Sequence, residues 1–310
     1  MSQYQTIHSH HSHYGWDNGI EAVRQVAPGE ILEFEVRDAS GGQLSARSDA
    51  SAVGTLDFDK VNPVTGPIEV DGAEPGDAIR IELLDFAGVG WGWTAIIPGF
   101  GLLADEFKTP FLHISEYDEQ RVRFVDGIEL ETAPFPGTVG LAPAAPGHHS
   151  VVPPRRVGGN LDLRDLTRGA TLYLPVEVAG GLLSVGDTHA AQGDGEVCGT
   201  AVETQFSVSA RIGLVKGANL PAPQCETTRP LRRSRRDDKG FYVTTGVGPD
   251  LMQASRDAIR AMIDHLGKHY GLAPEMAYAL CSVAVDLRIG EVVDVPNWVV
   301  AAQLPKGIFL

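Results

Sequence analysis

The alternation of apolar and polar residues over short runs is the feature that most constrains how this chain folds. ILEFEVRDAS (31–40) and DAIRIELLDF (77–86) both alternate with the period of a strand that buries one face. The segments VAPGE (26–30) and GAEPGD (72–77) place Pro and Gly where a tight reversal needs them. Several short strands separated by turns predict a mainly β fold, a sandwich or jelly roll. Further strand-like runs are FLHI (111–114), QRVRFV (120–125), ATLYLPVEV (170–178), GLLSVGD (181–187) and VETQFSVSARIGLV (202–215).

A different pattern begins near residue 250. Apolar residues follow a 3.6-residue period to about residue 270, where Gly271 supplies a helix stop, and a shorter helix is predicted from Pro274. SVAVDLRI (282–289) and WVVAAQLP (298–305) return to the strand pattern. We therefore predict a β-rich part over residues 1–220 that carries most of the candidate site, and a smaller α+β part over residues 221–310 packed against it. The segment 221–240 is expected to be an exposed connection.

Charge limits the partners of the chain. Its 310 residues carry a net charge of −15, which repels phosphate backbones and anionic lipid and suits a small neutral or cationic ligand. The basic run LRRSRR (231–236) is interpreted as a solvated loop, and no nucleic-acid partner is expected. No apolar stretch reaches the roughly 18 residues of a membrane span, so no membrane partner is expected. The three cysteines show no CxxC spacing and the first residues lack a signal-peptide pattern, so we expect a cytoplasmic protein.

Residues 184–199, SVGDTHAAQGDGEVCG, concentrate reactive side chains among small ones. In a strand, Asp187 and His189 point to the same face and form a chelating pair for a divalent cation. Zn²⁺ suits imidazole and carboxylate ligands best, and Mn²⁺, Fe²⁺ and Ca²⁺ stay as alternatives. The competing interpretation is a surface Asp and His at a strand end. Glu196, in the turn GDGE, is either a ligand, a general base or a solvated turn residue.

Other polar and aromatic residues carry weaker signals. Cys198 lies near His189 in sequence and is either a thiolate nucleophile or a packed side chain. Asn160 and Asp162, two residues apart after two glycines, share a face if the chain there is extended. Trp91 and Trp93 either wall an apolar pocket or fill a core.

Taken together, several motifs resemble those of the acetamidase/formamidase family, in the same order along nearly the whole chain. The resemblance implies hydrolysis of short aliphatic amides to a carboxylic acid and ammonia, a β-rich fold with a jelly-roll-like part, and a bound divalent metal. Where related formamidases tend to carry HNRWH this chain has HYGWDN, which favours an acetamidase-like substrate. The motifs are HYGWDN (13–18), RDASGGQL (37–44), VNPVTGPIEVDGAEPGD (61–77), WGWTAIIPGFGLLADEF (91–107), GGNLDLRDLTRGATLYLPV (158–176), SVGDTHAAQGDGEVCGTAVE (184–203) and VDLRIGEVVDVPNWVV (285–300).

From these residues we assign provisional roles for a metal-dependent amidase. Glu196 is the predicted general base and then acid, while Asn160 and Asp162 are the other predicted catalytic groups, with Asn160 holding the substrate carbonyl. A homo-oligomer acting on a small neutral amide is expected. A Cys198-based thiol amidase and a non-catalytic metal-binding β domain remain the alternatives. The predicted metal ligands are His13, Asp38, Asp187, His189 and Glu203, and the predicted substrate-binding residues are Trp91, Trp93 and Gln192.

Overall fold

A computed structural model describes residues 4–228, 235–293 and 295–310 of the chain. Most of the basic run LRRSRR therefore lies outside the described residues. The helices are α1 (Ala50–Val53), α2 (Leu251–Tyr270) and α3 (Pro274–Ala284), and single 3-10 turns lie at Ser9–His11, Phe58–Lys60, Arg235–Lys239 and Lys306–Ile308. The strands are β1 (Gln5–Ile7), β2 (Ser12–His13), β3 (Gly15–Trp16), β4 (Arg24–Val26), β5 (Ile31–Glu35), β6 (Val64–Val70), β7 (Ala78–Gly88), β8 (Trp91–Ile96), β9 (Phe111–Tyr117), β10 (Arg121–Val125), β11 (Ile128–Glu131), β12 (Phe135–Gly140), β13 (His149–Ser150), β14 (Gly158–Asn160), β15 (Thr171–Pro175), β16 (Leu183–His189), β17 (Glu203–Thr204), β18 (Phe206–Val215), β19 (Gln224–Glu226), β20 (Phe241–Gly248), β21 (Asp286–Glu291) and β22 (Trp298–Pro305).

Two large sheets form the β-rich part, which confirms the predicted fold class. One sheet has the order β1-β5-β18-β7-β15-β19. Its central strands alternate as the sequence predicted, and Leu32 and Phe34 of β5 are buried while their neighbours are not. The second sheet runs β11-β10-β9-β8-β17-β16-β12-β14, with β6 on β16 and with β2 and β4 on β6. Side chains from the buried faces of both sheets belong to one apolar cluster, as in a sandwich.

Strand β16 occupies the middle of the second sheet and is buried along its whole length. It pairs antiparallel with β12, β17 and β6, so its backbone groups are held from both sides. His189 at its end lies opposite Phe135 of β12 and opposite Glu203 of β17. Residues 184–189 of the segment 184–199 therefore form an interior strand, and the interpretation as a surface Asp and His at a strand end is wrong.

The C-terminal part contains helices α2 and α3 and the sheet β20-β22-β21. Helix α2 begins after Asp250, whose carboxylate accepts a hydrogen bond from the Gln253 amide, and ends at Gly271 in the left-handed conformation with φ of 68°. The predicted strand 282–289 is partly wrong, because its first three residues complete α3 and the strand begins at Asp286. No helix within the described ranges has the length and apolarity of a membrane span.

The predicted boundary near residue 220 stays a prediction. Strand β19 lies beyond it, yet pairs with β15 of the first sheet. Buried residues of α2, α3 and β22 join the same apolar cluster as the sandwich. The C-terminal part thus packs onto the β-rich part through a continuous core.

The C-terminal part also holds the turn that carries Glu196. The Gly193 amide donates to Ser282 O at 2.8 Å, and the Leu287 amide donates to Asp194 O at 2.9 Å. Gly193 approaches α3 so closely that an added Cβ would lie 2.1 Å from Val285 O, which explains glycine at this position. The backbone around Glu196 is therefore fixed from the C-terminal side.

Candidate active site

A cavity of about 350 Å³ opens beside the end of β16. Asp187 and Glu203 lie deep in it, with 5% and 2% of their surface exposed. The rest of its polar lining comes from Ser40, Asn62, Asn160, Asp162, Glu196 and Thr200, and its apolar lining includes Leu56, Phe58, Val61, Trp93, Ile97, Phe100 and Val152. None of the lining residues that the structure describes is Lys, Arg or His.

His189 is oriented by Gln192. Gln192 Nε2 donates to the Asp162 carbonyl at 2.8 Å, so its amide oxygen faces His189 Nδ1 at 2.9 Å. An amide oxygen accepts hydrogen bonds only, so His189 Nδ1 is the donor and carries a proton. His189 Nε2 then points away from Gln192, toward Asp187 Oδ1 at 3.3 Å and Glu203 Oε2 at 3.2 Å.

Nε2 of His189 and Oε2 of Glu203 are buried and have no hydrogen-bond partner of good geometry among the described residues. Ligand atoms of Asp187, His189 and Glu203 lie within 4.8 Å of one another, and the same holds for Asp162, His189 and Glu196. An imidazole whose Nδ1 proton is held by a second residue and whose Nε2 meets carboxylates is the usual arrangement of a metal-binding histidine. The donor set therefore fits a divalent cation.

The charge of the cluster supports the same fit. Four carboxylates gather around one imidazole, and burying unpaired charges costs several kcal/mol each. Burial, together with the negative charge of Asp187, raises the pKa of Asp162 to about 8. Burial and the neighbouring Asp187 likewise raise the pKa of Glu203 to about 7, and burial and Asp162 raise the pKa of Glu196 well above its usual range. A bound divalent cation would offset this concentrated negative charge.

Four residues that line the cavity have a left-handed backbone. Asn62, Asp162, Asp187 and Glu196 have φ angles of 50°, 46°, 54° and 43°. Such a conformation costs energy in a residue other than glycine, of order 1–3 kcal/mol, and it persists where the surroundings impose it. Backbone strain is thus concentrated where the polar side chains converge.

Asn160 is held with its amide nitrogen available. Its Oδ1 accepts hydrogen bonds from Thr138 Oγ1 at 2.7 Å and from Asn62 Nδ2 at 3.1 Å. Thr138 Oγ1 also lies 3.2 Å from Asp187 Oδ2, which links Asn160 to the carboxylate cluster. With both protein donors on its oxygen, Asn160 presents its NH₂ group to the cavity that it lines.

Two of the predicted metal ligands are not brought to the cluster. His13 Nδ1 lies 2.7 Å from Gly15 O and His13 Nε2 lies 2.8 Å from Ser184 Oγ, so both ring nitrogens are engaged within the sandwich. Asp38 Oδ1 accepts hydrogen bonds from the Ser40 amide and from Trp93 Nε1, at 2.9 and 3.1 Å. Asp38 therefore anchors Trp93 in the cavity wall, away from the carboxylate cluster, and its role as a ligand stays a prediction.

The predicted substrate-binding residues separate in the structure. Trp93 lines the cavity, whereas Trp91 packs outside it against a small apolar cluster with Leu44 and Val53. Gln192 is not among the lining residues and instead orients His189. The substrate-binding roles of Gln192 and Trp91 stay predictions, and in the structure Gln192 contacts His189 while Trp91 contacts the apolar cluster.

Cys198 is a packed side chain. It is fully buried, and its thiol contacts Ala95 O at 3.4 Å and Thr200 O at 3.6 Å. Burial raises the pKa of this thiol, which disfavours the thiolate that a nucleophile needs. The thiol-amidase alternative therefore loses its physical basis.

Three residues of the site had no sequence signal of their own. Thr138 and Gly137 sit in the middle of β12, where a polar residue and a glycine read as ordinary strand positions. Asn62 falls within the motif VNPVTG, but its role became visible only through its bond to Asn160.

The sequence profile of the acetamidase/formamidase family matches residues 2–150 and 144–310 of this chain. The chain belongs to the acetamidase/formamidase family. This confirms the resemblance drawn from its motifs, and it makes the chain a hydrolase of amide carbon–nitrogen bonds. A formamidase of Methylophilus methylotrophus is 28% identical, with 96% of this chain and 89% of that protein aligned.

Solved structures show the same relationship. A gamma lactamase from Delftia acidovorans superposes with a TM-score of 0.89 at 27% identity, covering 96% of this chain and 89% of that one. An acetamidase from Bacillus halodurans superposes with a TM-score of 0.69 at 30% identity, covering 96% of both chains. The fold is therefore shared over its whole length with amide-hydrolysing relatives.

Proposed function

We propose that the chain is a metal-dependent amidase that hydrolyses neutral amides, with short aliphatic amides such as formamide and acetamide within its range, to a carboxylic acid and ammonia or an amine. The observation that carries this proposal is the orientation of His189. Its Nε2 faces Asp187 and Glu203 without a proper hydrogen bond, and these two carboxylates line the cavity together with Asn160 and Glu196.

Asp187, His189 and Glu203 would hold the metal ion. When bound, the ion supplies Lewis acidity and makes water a stronger nucleophile near neutral pH. One imidazole and several carboxylates suit Zn²⁺, and we propose Zn²⁺ as the ion in preference to Mn²⁺, Fe²⁺ or Ca²⁺.

The chain's own residues carry the proton transfers and position the substrate. Glu196 takes a proton from the attacking water and delivers it to the departing nitrogen, since its carboxyl lies beside the cluster and lines the cavity. Asp162 lies within reach of Glu196 and shares the proton of the pair. The Asn160 NH₂ donates to the substrate carbonyl, whose negative charge grows as water adds; such a donor is worth about 3 kcal/mol in the transition state.

Two further expectations accompany this proposal. All three cysteines are free thiols, which supports a cytoplasmic location. Large apolar side chains on the C-terminal sheet and in the connection between β21 and β22 are exposed, among them Val247 at 60% and Val293 at 76%, which supports burial against a second copy in a homo-oligomer. Light scattering of the purified chain measures the subunit number.

The test measures ammonia released from formamide, acetamide and propionamide by the purified protein before chelation, after chelation and after divalent ions are restored. We expect activity to disappear with the metal and return with it. Glu196→Gln is the matched variant, because the amide keeps the size of the carboxyl but takes no proton. It should abolish turnover while elemental analysis still finds metal, whereas loss of metal would reassign Glu196 as a ligand. Activity that survives complete chelation would refute metal dependence.

A further inference from the structure

The cavity is larger than a short aliphatic amide requires. Acetamide has four heavy atoms and, at the roughly 30 Å³ that a water molecule occupies in the liquid, fills on the order of 100 Å³. The cavity measures about 350 Å³. Acetamide bound at the carboxylate cluster would therefore leave more than half of the space to water.

The unfilled part of the cavity has the chemistry of an apolar binding site. Leu56, Ile97 and Trp93 contribute carbon surface to its walls, and Trp93 is fixed by its bond to Asp38. Contact between these walls and an apolar group is more favourable than contact with water, so the walls stabilise the binding of an apolar part of the substrate.

Charge excludes other substrates from the same space. The charged residues of the lining are Asp162, Asp187, Glu196 and Glu203, and the described part of the lining offers no cationic side chain. Away from the proposed metal ion, a carboxylate or phosphate on the substrate would find no cationic partner in this lining. The group that fills the cavity must therefore be uncharged or, at most, cationic, and the apolar walls favour the uncharged one.

The mouth of the cavity continues this surface. Phe58, Phe100 and Val152 line the cavity and remain 59%, 45% and 43% exposed. Exposed large apolar side chains gathered at one opening mark a place where an apolar ligand enters or rests. The apolar surface thus runs from Trp93 inside the cavity to a rim formed by Phe58, Phe100 and Val152.

We propose that the preferred substrate is a neutral amide that carries an apolar group the size of an aromatic ring. This inference rests on the amidase function proposed above and adds a preference that formamide and acetamide do not satisfy. The ring lies against Leu56, Ile97, Trp93 and the rim residues, while the amide lies at Asn160 and the carboxylate cluster.

The experiment compares kcat/KM of the metal-loaded enzyme for acetamide, 2-phenylacetamide, N-benzylacetamide and 4-(carboxymethyl)phenylacetamide. Even one methylene in an apolar pocket changes specificity by about tenfold or more, so at least one of the two uncharged ring amides should exceed acetamide at least about tenfold. The acid-bearing amide should be at least tenfold poorer than 2-phenylacetamide. Acetamide preferred over both uncharged ring amides overturns the inference but leaves the amidase function standing. No hydrolysis of any amide overturns the amidase function itself.

Variants locate the ring. Val152→Trp should narrow the mouth and lower the ratio of kcat/KM for the better ring amide to that for acetamide by about tenfold. Val89→Trp is the matched control, since Val89 is 49% exposed and lies outside the cavity lining. Phe100→Ala removes rim surface and should raise KM for the ring amide more than KM for acetamide, which provides a second reading if Val152→Trp folds poorly. A ratio unchanged in both Val152→Trp and Phe100→Ala places the ring elsewhere and overturns the inference.

Discussion

Gly137 on strand β12 is a steric constraint on three polar residues of the site at once. A Cβ added there would lie 2.5 Å from Asp162 Oδ1, 2.8 Å from His189 Cε1 and 2.9 Å from Asp187 O. The φ angle at Gly137 is not in the left-handed region, so alanine has no backbone penalty and acts by contact alone. Reaching ordinary contact near 3.4 Å requires shifts of roughly 0.5–0.9 Å in three site residues that close packing holds in place.

Gly137→Ala should therefore damage catalysis more than stability. A displacement of about 1 Å costs on the order of a hundredfold in rate, whereas overpacking costs about 1–3 kcal/mol of folding free energy, a drop of several degrees in Tm. The assay is kcat/KM for amide hydrolysis beside thermal unfolding and metal content. Gly248→Ala is the control, because a Cβ there meets nothing within 4 Å. A Gly137→Ala enzyme that keeps its rate within about threefold, with native Tm, would show that catalysis does not depend on the close positioning of these three residues.

Three further changes test separate parts of the structure. Cys198→Ala should keep amide hydrolysis within about threefold while lowering stability by about 1 kcal/mol, and a rate loss of a thousandfold would restore the thiol mechanism. Asp286→Asn removes the charge that pairs with Arg164 and weakens the acceptor of the Asp194 amide, a 3.0 Å bond beside the Glu196 turn. It should lower kcat roughly tenfold with little change in KM, and a comparable rise in KM would indicate a substrate contact. Burial alone would raise the pKa of Asp77, but hydrogen bonds led by that from Lys216 outweigh it and hold the pKa below its usual range. The stability from this pair is thus complete above the unfolded pKa near 4 and is lost as the pH falls through the lower folded pKa. Urea midpoints of the unaltered chain and Asp77→Asn should differ at pH 6 and converge toward pH 2, and a constant difference would refute the linkage.

The sequence predicted the fold class because its information is local. Period-two alternation and Pro-Gly turns mark strands directly, and Asp250 and Gly271 mark both ends of α2. The sequence could not predict the strand register, because the pairing of β16 with β12, β17 and β6 joins segments that lie far apart in the chain. The error at residues 282–284 has the same origin. Residues 282–284 are all buried, and a short buried run of this kind fits the end of a helix as well as a strand.

The candidate site was predictable where the proposed ligands are close in sequence. Asp187 and His189, two residues apart on one strand, do meet, and Glu203 joins them through the neighbouring strand. His13 and Asp38 lie apart from the cluster, and the sequence does not reveal that Ser184 and Trp93 contact their polar atoms. Assignments that depend on which partner a side chain finds need the three-dimensional arrangement.

The hydrogen bonds that hold the Glu196 turn to the C-terminal part have a consequence for heat inactivation. The turn is held by Ser282 at the end of α3 and by Leu287 of β21, so its position depends on a region distant from the catalytic strands in sequence. Local opening of α3 would release Glu196 while the sandwich remained intact. Activity should then decline at temperatures where β-sheet circular dichroism is still native, and hydrogen exchange in residues 193–199 should quicken together with that of α3.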